Sequence, residues 1–179
     1  MTLQVFLNPG DCWMGSCRPG QLTTILGSCI SLVALLPPAR WVGVCHAVLP
    51  TRAKLGSAPL SGRFVDEAFM IFAQELIRYG ATLQQCELQL YGGGDMFFVS
   101  TSSDAPAMFR VGQQNLHMAM NLLGNLNAVL AVQDFGDNCY RHLRVDLSNG
   151  RTQLDKNGLP QRAISTVSSL KAGRYDRKN

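Results

Sequence analysis

The chain has no Cys-x-x-Cys pair, no basic-then-apolar leader at its start, few charged residues (16%) and only three histidines. Each shortage removes a class of function. Without paired cysteines, and with His46, His117 and His142 at no recurrent ligand spacing, a structural zinc site has no basis, and no metal or other cofactor is expected. The longest apolar stretch, Ile30 to Ala39, is broken by Ser31 and the Pro37-Pro38 pair and is too short to cross a bilayer, so no membrane insertion is expected. Part of the formal charge of +4 comes from the end of the chain, Lys171 to Lys178, which reads as a solvated tail and not as a nucleic-acid arm. No nucleic-acid partner is expected.

The lack of a leader points to the cytoplasm and to reduced thiols. The irregular spacing of Cys12, Cys17, Cys29, Cys45, Cys86 and Cys139 agrees with free cysteines better than with a disulfide framework. Cys45 and Cys86 read as core thiols, while Cys12 and Cys17, in a Gly-rich stretch beside Trp13, read as partly buried spectators with a possible redox role.

What is present is apolar content: 46% of 179 residues, enough for one full-sized core and too little chain for two. One domain over residues 1–170 is expected, followed by a basic tail at 171–179. Leu22-Thr23-Thr24-Ile25 and Ile30 to Leu35 are rich in β-branched and apolar residues with Gly27-Ser28 between them, which reads as a strand, a sharp turn, and then a strand or the start of a helix. Pro37-Pro38 forces a turn, and Trp41 to Leu49 reads as a buried strand that ends at Pro50 and carries His46. Thr51 to Ser61 is a loop. The apolar spacing from Phe64 to Tyr79 predicts a helix closed by Gly80, and Val111 to Leu123 predicts a second. Strands are expected over Leu83 to Leu90 and Asn127 to Gln133, and a hairpin over Tyr140 to Leu147 and Thr152 to Leu154 with Ser148-Asn149-Gly150-Arg151 as its turn. Two long helices among many short strands give an α/β or α+β fold of mixed sheets flanked by helices.

Cys29 is the candidate nucleophile. A cysteine attacks carbonyl carbon as the thiolate, and needs a base within reach and donors for the oxyanion that forms. Gly27 and Ser28 permit the sharp turn and close backbone approach that would expose amides to a developing negative charge. His46, on a strand that can lie beside that turn, is the candidate base, and Thr23 or Thr24, pointing to opposite faces of the strand entering Cys29, is the candidate orienting group. Gly92-Gly93-Gly94 lacks the spacing of a phosphate cradle and reads as a tightly turning loop beside the site, which with Phe97 and Phe98 is expected to form the rim that meets a substrate or partner.

Four segments in this order, Leu26-Gly27-Ser28-Cys29, His46-Ala47-Val48-Leu49-Pro50, Gly92-Gly93-Gly94-Asp95-Met96-Phe97 and Val111-Gly112-Gln113-Gln114-Asn115, resemble the CheD family of chemoreceptor glutamine deamidases. Arg63-Phe64-Val65-Asp66 opening a helix is part of the same resemblance, which spans most of the chain. Asp134-Phe135-Gly136-Asp137 departs from the D-x-G-G that the family often shows. The resemblance implies Cys29 as nucleophile, His46 as base and Thr23 as the third member. It implies a layered fold similar to the catalytic domain of cytotoxic necrotizing factor toxins, an open site, and hydrolysis of receptor glutamines to glutamate without a cofactor. The implied partners are the cytoplasmic helical bundle of a chemoreceptor and a CheC-type phosphatase. A protein that chiefly docks on one of these, with hydrolysis secondary, is the competing expectation.

Overall fold

The computed structural model describes residues 2–52, 58–96 and 110–158. Phe97, Phe98 and the basic tail at 171–179 lie outside the described residues.

Among the described residues, two mixed sheets face each other. One has four strands in the order β1-β3-β8-β9: Leu3–Phe6, Gly20–Leu26, Cys139–Asp146 and Thr152–Gly158. The other has five, in the order β2-β5-β4-β6-β7: Cys12–Gly15, Trp41–Cys45, Ile30–Leu36, Glu87–Gly92 and Leu130–Phe135. Helices α1 (Val65–Ile77) and α2 (Val111–Asn125) cover the outer face of the five-stranded sheet. The fold is therefore a mixed α+β sandwich of helix, sheet and sheet layers.

β4 lies at the centre of this arrangement and is buried along its whole length, which explains its run Ile-Ser-Leu-Val-Ala-Leu-Leu, apolar at every position but Ser31. Ile30, Leu32, Ala34 and Leu36 meet the helices, while Val33 and Leu35 meet the four-stranded sheet. In β3, Leu22 and Leu26 enter that inter-sheet core and Ile25 faces out. This alternation decides which threonine reaches the histidine.

Several elements differ from the sequence reading. The strand expected over Leu83 to Leu90 starts later, because Leu83–Gln85 is a 3-10 turn closed by a capping box between Thr82 and Gln85. The strand expected from Asn127 begins at Leu130, since Asn127 itself takes a positive φ of 50° in the turn leaving α2. β1 and β2 were not expected at all. They are four-residue edge strands in a stretch dense in Gly and Pro, too short to show a period.

Candidate active site

β3 ends at Leu26, and Gly27, Ser28 and Cys29 turn the chain into β4. Ile30 and Ala47 then exchange both backbone hydrogen bonds, at 2.9 and 2.8 Å. This bridge carries the β4–β5 pairing past Cys45, where β5 proper ends, and brings His46 beside the cysteine turn. Cys29 and His46 are diagonal neighbours across the pair, on the face opposite to Ile30 and Ala47. Ser31 lies on the same face, fully buried. A second device fixes the histidine backbone from the other side. Gly10, with φ at 94°, and Asp11 form a bulge opposite His46, in which Gly10 N–H donates to the His46 carbonyl and His46 N–H donates to Asp11.

The ring is anchored across the gap between the sheets. His46 Nδ1 lies 2.8 Å from Thr24 Oγ1, and the same hydroxyl donates to the Leu7 carbonyl at 2.8 Å. A hydroxyl has one proton; with that proton on Leu7, Thr24 accepts from His46 Nδ1–H. The histidine is thereby held as the tautomer whose Nε2 carries the lone pair, and among the described residues Nε2 has no partner. Thr24 is 1% and His46 2% exposed.

Thr24, and not Thr23, therefore holds the histidine. The expectation for Thr23 fails on strand parity: Thr23 pairs with Arg144 on the open outer face of the four-stranded sheet, and its hydroxyl points to the Val5 carbonyl, at 3.5 Å. Positions 22, 24 and 26 share one face, and leucines at 22 and 26 were the available signal that this face points inward.

Burial pushes the Cys29 thiol above its ordinary value. Burial also pushes His46 down, against the opposing pull of its Leu7 contact and of the Asp11 charge. Both shifts disfavour a preformed thiolate–imidazolium pair, so at neutral pH the resting site holds a neutral thiol and a neutral base. Alkylation of Cys29 by iodoacetamide is accordingly expected to accelerate with pH up to and beyond 9, the ordinary value of a thiol. A plateau already reached near pH 7, measured by peptide mass spectrometry, would show a preformed ion pair instead.

The glycine loop has a different role from the one expected. Gly92, Gly93 and Gly94 are buried, and they brace the cysteine turn from behind instead of forming an exposed rim. Gly93 N–H donates to the Cys29 carbonyl and Gly94 N–H to the Gly27 carbonyl, both at 2.8 Å. A Cβ on Gly92 would collide with the Cys29 carbonyl oxygen, and one on Gly112 with that of Gly94, so backbone packs directly on backbone at both positions. Gly27, Ser28 and Cys29 are themselves partly exposed, and Gly27 lies against Met96 and Tyr140.

Asn115 was not singled out as a site residue. It is fully buried on α2, and its side-chain amide donates to the carbonyls of Ser28 and Val48, at 3.0 and 2.9 Å. It thus ties the cysteine turn to the histidine segment. Because a trans peptide directs N–H and C=O oppositely, holding the Ser28 carbonyl turns the Cys29 N–H away from α2. A buried asparagine in the first turns of a helix was the readable sign of such a tie. The other histidines are elsewhere: His117 bonds Asn121 on α2, and His142 pairs with Ile25. No group of three or more metal-ligating side chains occurs among the described residues.

Asp134 and Asp137, in the segment that departs from the family pattern, serve a buried cation. Arg141 is fully buried between the sheets and donates through Nε to Asp134 at 2.8 Å, with Asp137 at 3.8 Å. The Asp137 carbonyl also accepts the Asp95 N–H, at 2.9 Å, joining this turn to the glycine loop. A cleft of about 620 Å³ lies on the four-stranded sheet beside Gly20, Arg144 and Asp146. A second, of about 440 Å³, lies between Pro50-Thr51 and the first turns of α2. Cys29 lines neither.

A thiol on a strand-to-strand turn, beside a neutral histidine whose far nitrogen is anchored, is the layout of thiol-dependent acyl transfer. The chain belongs to the CheD family: the family profile described as CheD chemotactic sensory transduction matches residues 48–156. It is 34% identical over 147 residues to "Probable chemoreceptor glutamine deamidase CheD" of Pseudomonas savastanoi pv. phaseolicola, covering 82% of this chain and 81% of that protein. It is 32% identical over 150 residues to "Probable chemoreceptor glutamine deamidase CheD 1" of Chromobacterium violaceum, covering 84% and 76% respectively. The match to "Probable chemoreceptor glutamine deamidase CheD 3" of Dechloromonas aromatica is 32% over 164 residues and covers 92% of both chains. Among the described residues no helix is long and apolar enough to cross a membrane.

Proposed function

We propose that the protein is a chemoreceptor glutamine deamidase that converts glutamine side chains on the cytoplasmic helical bundle of a chemoreceptor to glutamate, acting in the cytoplasm. The family and the names of its relatives support the substrate. The observation that carries the chemistry is the chain Leu7 carbonyl, Thr24 hydroxyl, His46 Nδ1, which leaves the Nε2 lone pair as the base.

In this mechanism His46 Nε2 takes the proton of Cys29 as Sγ attacks the carboxamide carbon. The Cys29 backbone N–H, aimed by the Asn115 hold on Ser28, donates to the oxyanion. The imidazolium then protonates the departing ammonia, leaving a thioester. Water, deprotonated by His46, hydrolyses the thioester and releases glutamate and the free thiol. Neutral resting groups suit this sequence, since charge develops only as the substrate reacts. Each turnover adds one negative charge to the helix surface, which alters helix–helix electrostatics in the bundle. A CheC-type phosphatase is proposed as a docking partner on the basis of the family resemblance.

Mass spectrometry of a purified receptor cytoplasmic fragment incubated with the protein tests this reading. A gain of about one dalton at defined glutamines is expected with wild type and not with Cys29→Ala. No gain with wild type, or the same gain with the variant, would overturn it.

A further inference from the structure

The sequence contains thiols that the mechanism does not use, and two of them face each other. Cys12 on β2 is the direct partner of Cys45 on β5, in antiparallel register. The neighbouring Asp11–His46 position is hydrogen-bonded through the Gly10 bulge, so Cys12 and Cys45 form the next, non-hydrogen-bonded pair. In such pairs the Cα atoms approach to about 4.5 Å and the side chains are at their closest, within the span that a disulfide bridges. Both side chains are on the helix-facing side of the sheet, where Cys45 belongs to the core and Cys12 packs against it. Cys29 packs into the other core, between the sheets.

We propose that Cys12 and Cys45 are a site of reversible disulfide formation that staples the edge strand β2 to the strand leading into His46. The bond closes on the segment that already supports the base, through Leu7, Gly10 and Asp11. All six cysteines are free in the structure. Cys45 Sγ lies 3.3 Å from the Leu32 N–H that donates to it, and Cys12 Sγ lies against Gly62, where a Cβ would come within 2.6 Å. Closure thus requires rotation of both side chains toward each other. β2, four residues long and at the sheet edge, can follow that movement without disturbing a second strand.

The oxidant is a hydroperoxide. Cys12 as thiolate attacks a peroxide oxygen, breaking the O–O bond and giving a sulfenic acid with, for hydrogen peroxide, one water. Cys45 then attacks the sulfenic sulfur, forming the S–S bond and expelling a second water. Two thiols lose two electrons and two protons, and the peroxide is reduced to two waters. Burial first, then Cys45 and Asp11, push the Cys12 thiol up, so the first step is faster at alkaline pH.

The test is independent of any role for Cys29 and uses the full chain carrying Cys29→Ser, which removes the competing nucleophile. The protein is treated with hydrogen peroxide at pH 8.5, alkylated and digested without reductant. A cross-linked peptide pair joining Cys12 to Cys45 is expected, two hydrogens lighter than the separate peptides, lost on dithiothreitol treatment, absent after a further Cys12→Ser change and retained after Cys17→Ser. If Cys12 and Cys45 stay fully alkylatable, or if either pairs only with another cysteine or with a second molecule, the proposal is overturned.

Discussion

Replacing His46 by alanine is expected to lower kcat/KM for receptor deamidation by about three to four orders of magnitude, with the fold retained. The histidine is asked to take a proton from a thiol held above its ordinary value and later to hand one to ammonia; nothing else described beside Cys29 can do both. Cys29→Ala should cost at least as much. The double variant should be no slower than Cys29→Ala alone, because residues acting as one unit do not contribute additively. Thr24→Val keeps the shape but removes the hydroxyl that joins the Leu7 carbonyl to His46 Nδ1–H. A loss of about 1–3 kcal/mol in stability follows, with a fall of about 100-fold in kcat from a ring no longer held in place. Thr23→Val, on the outer face, should stay within about threefold of wild type. Initial rates on a receptor fragment and urea midpoints separate these cases. Equal rates for the two threonine variants would refute the assignment of Thr24.

That contrast shows how far the sequence could be read. Alternation in the strand before Cys29 states that Thr23 and Thr24 point in opposite directions, but which direction is inward depends on a second sheet that no local pattern describes. Leu22 and Leu26 carry the answer only once the strand is known to have one wet face. The burial of β4 was legible in its apolar run, though that run also allowed the start of a helix, because burial on both sides leaves little room for polar side chains. Its one hydroxyl, Ser31, falls opposite His46 by the register that continues from Val33–Val44 to Ile30–Ala47. β1 and β2 were illegible for the opposite reason: their order comes from pairing with β3 and β5, not from their own composition. With them went the carbonyls of Leu7 and Asp11. The histidine could be named from the sequence, but not the backbone groups that fix its tautomer and its position.

Three consecutive glycines were legible as a special backbone, but not as a buried brace, and this leads to the second large effect. Gly92→Ala is expected to destabilise the protein by about 3 kcal/mol or more and to abolish deamidation. Two costs coincide there. Gly92 has φ at 105°, outside the range that side chains tolerate, and its Cβ would meet the Cys29 carbonyl oxygen, a backbone atom that cannot rotate aside. That carbonyl is also the acceptor of Gly93 N–H, so pushing it away breaks the tie that sets the angle of the nucleophile turn. Gly136→Ala is the matched control. Gly136 has a positive φ of 76° and donates to the Gly92 carbonyl, but a Cβ there meets nothing among the described residues within 4 Å. It should lose only the conformational cost of about 1–2 kcal/mol and keep near wild-type turnover. Urea midpoints and deamidation rates for the two variants decide the matter: if Gly92→Ala behaves like Gly136→Ala in both, the loop is only a turn. If it loses activity beyond its loss of stability, the loop sets the position of Cys29.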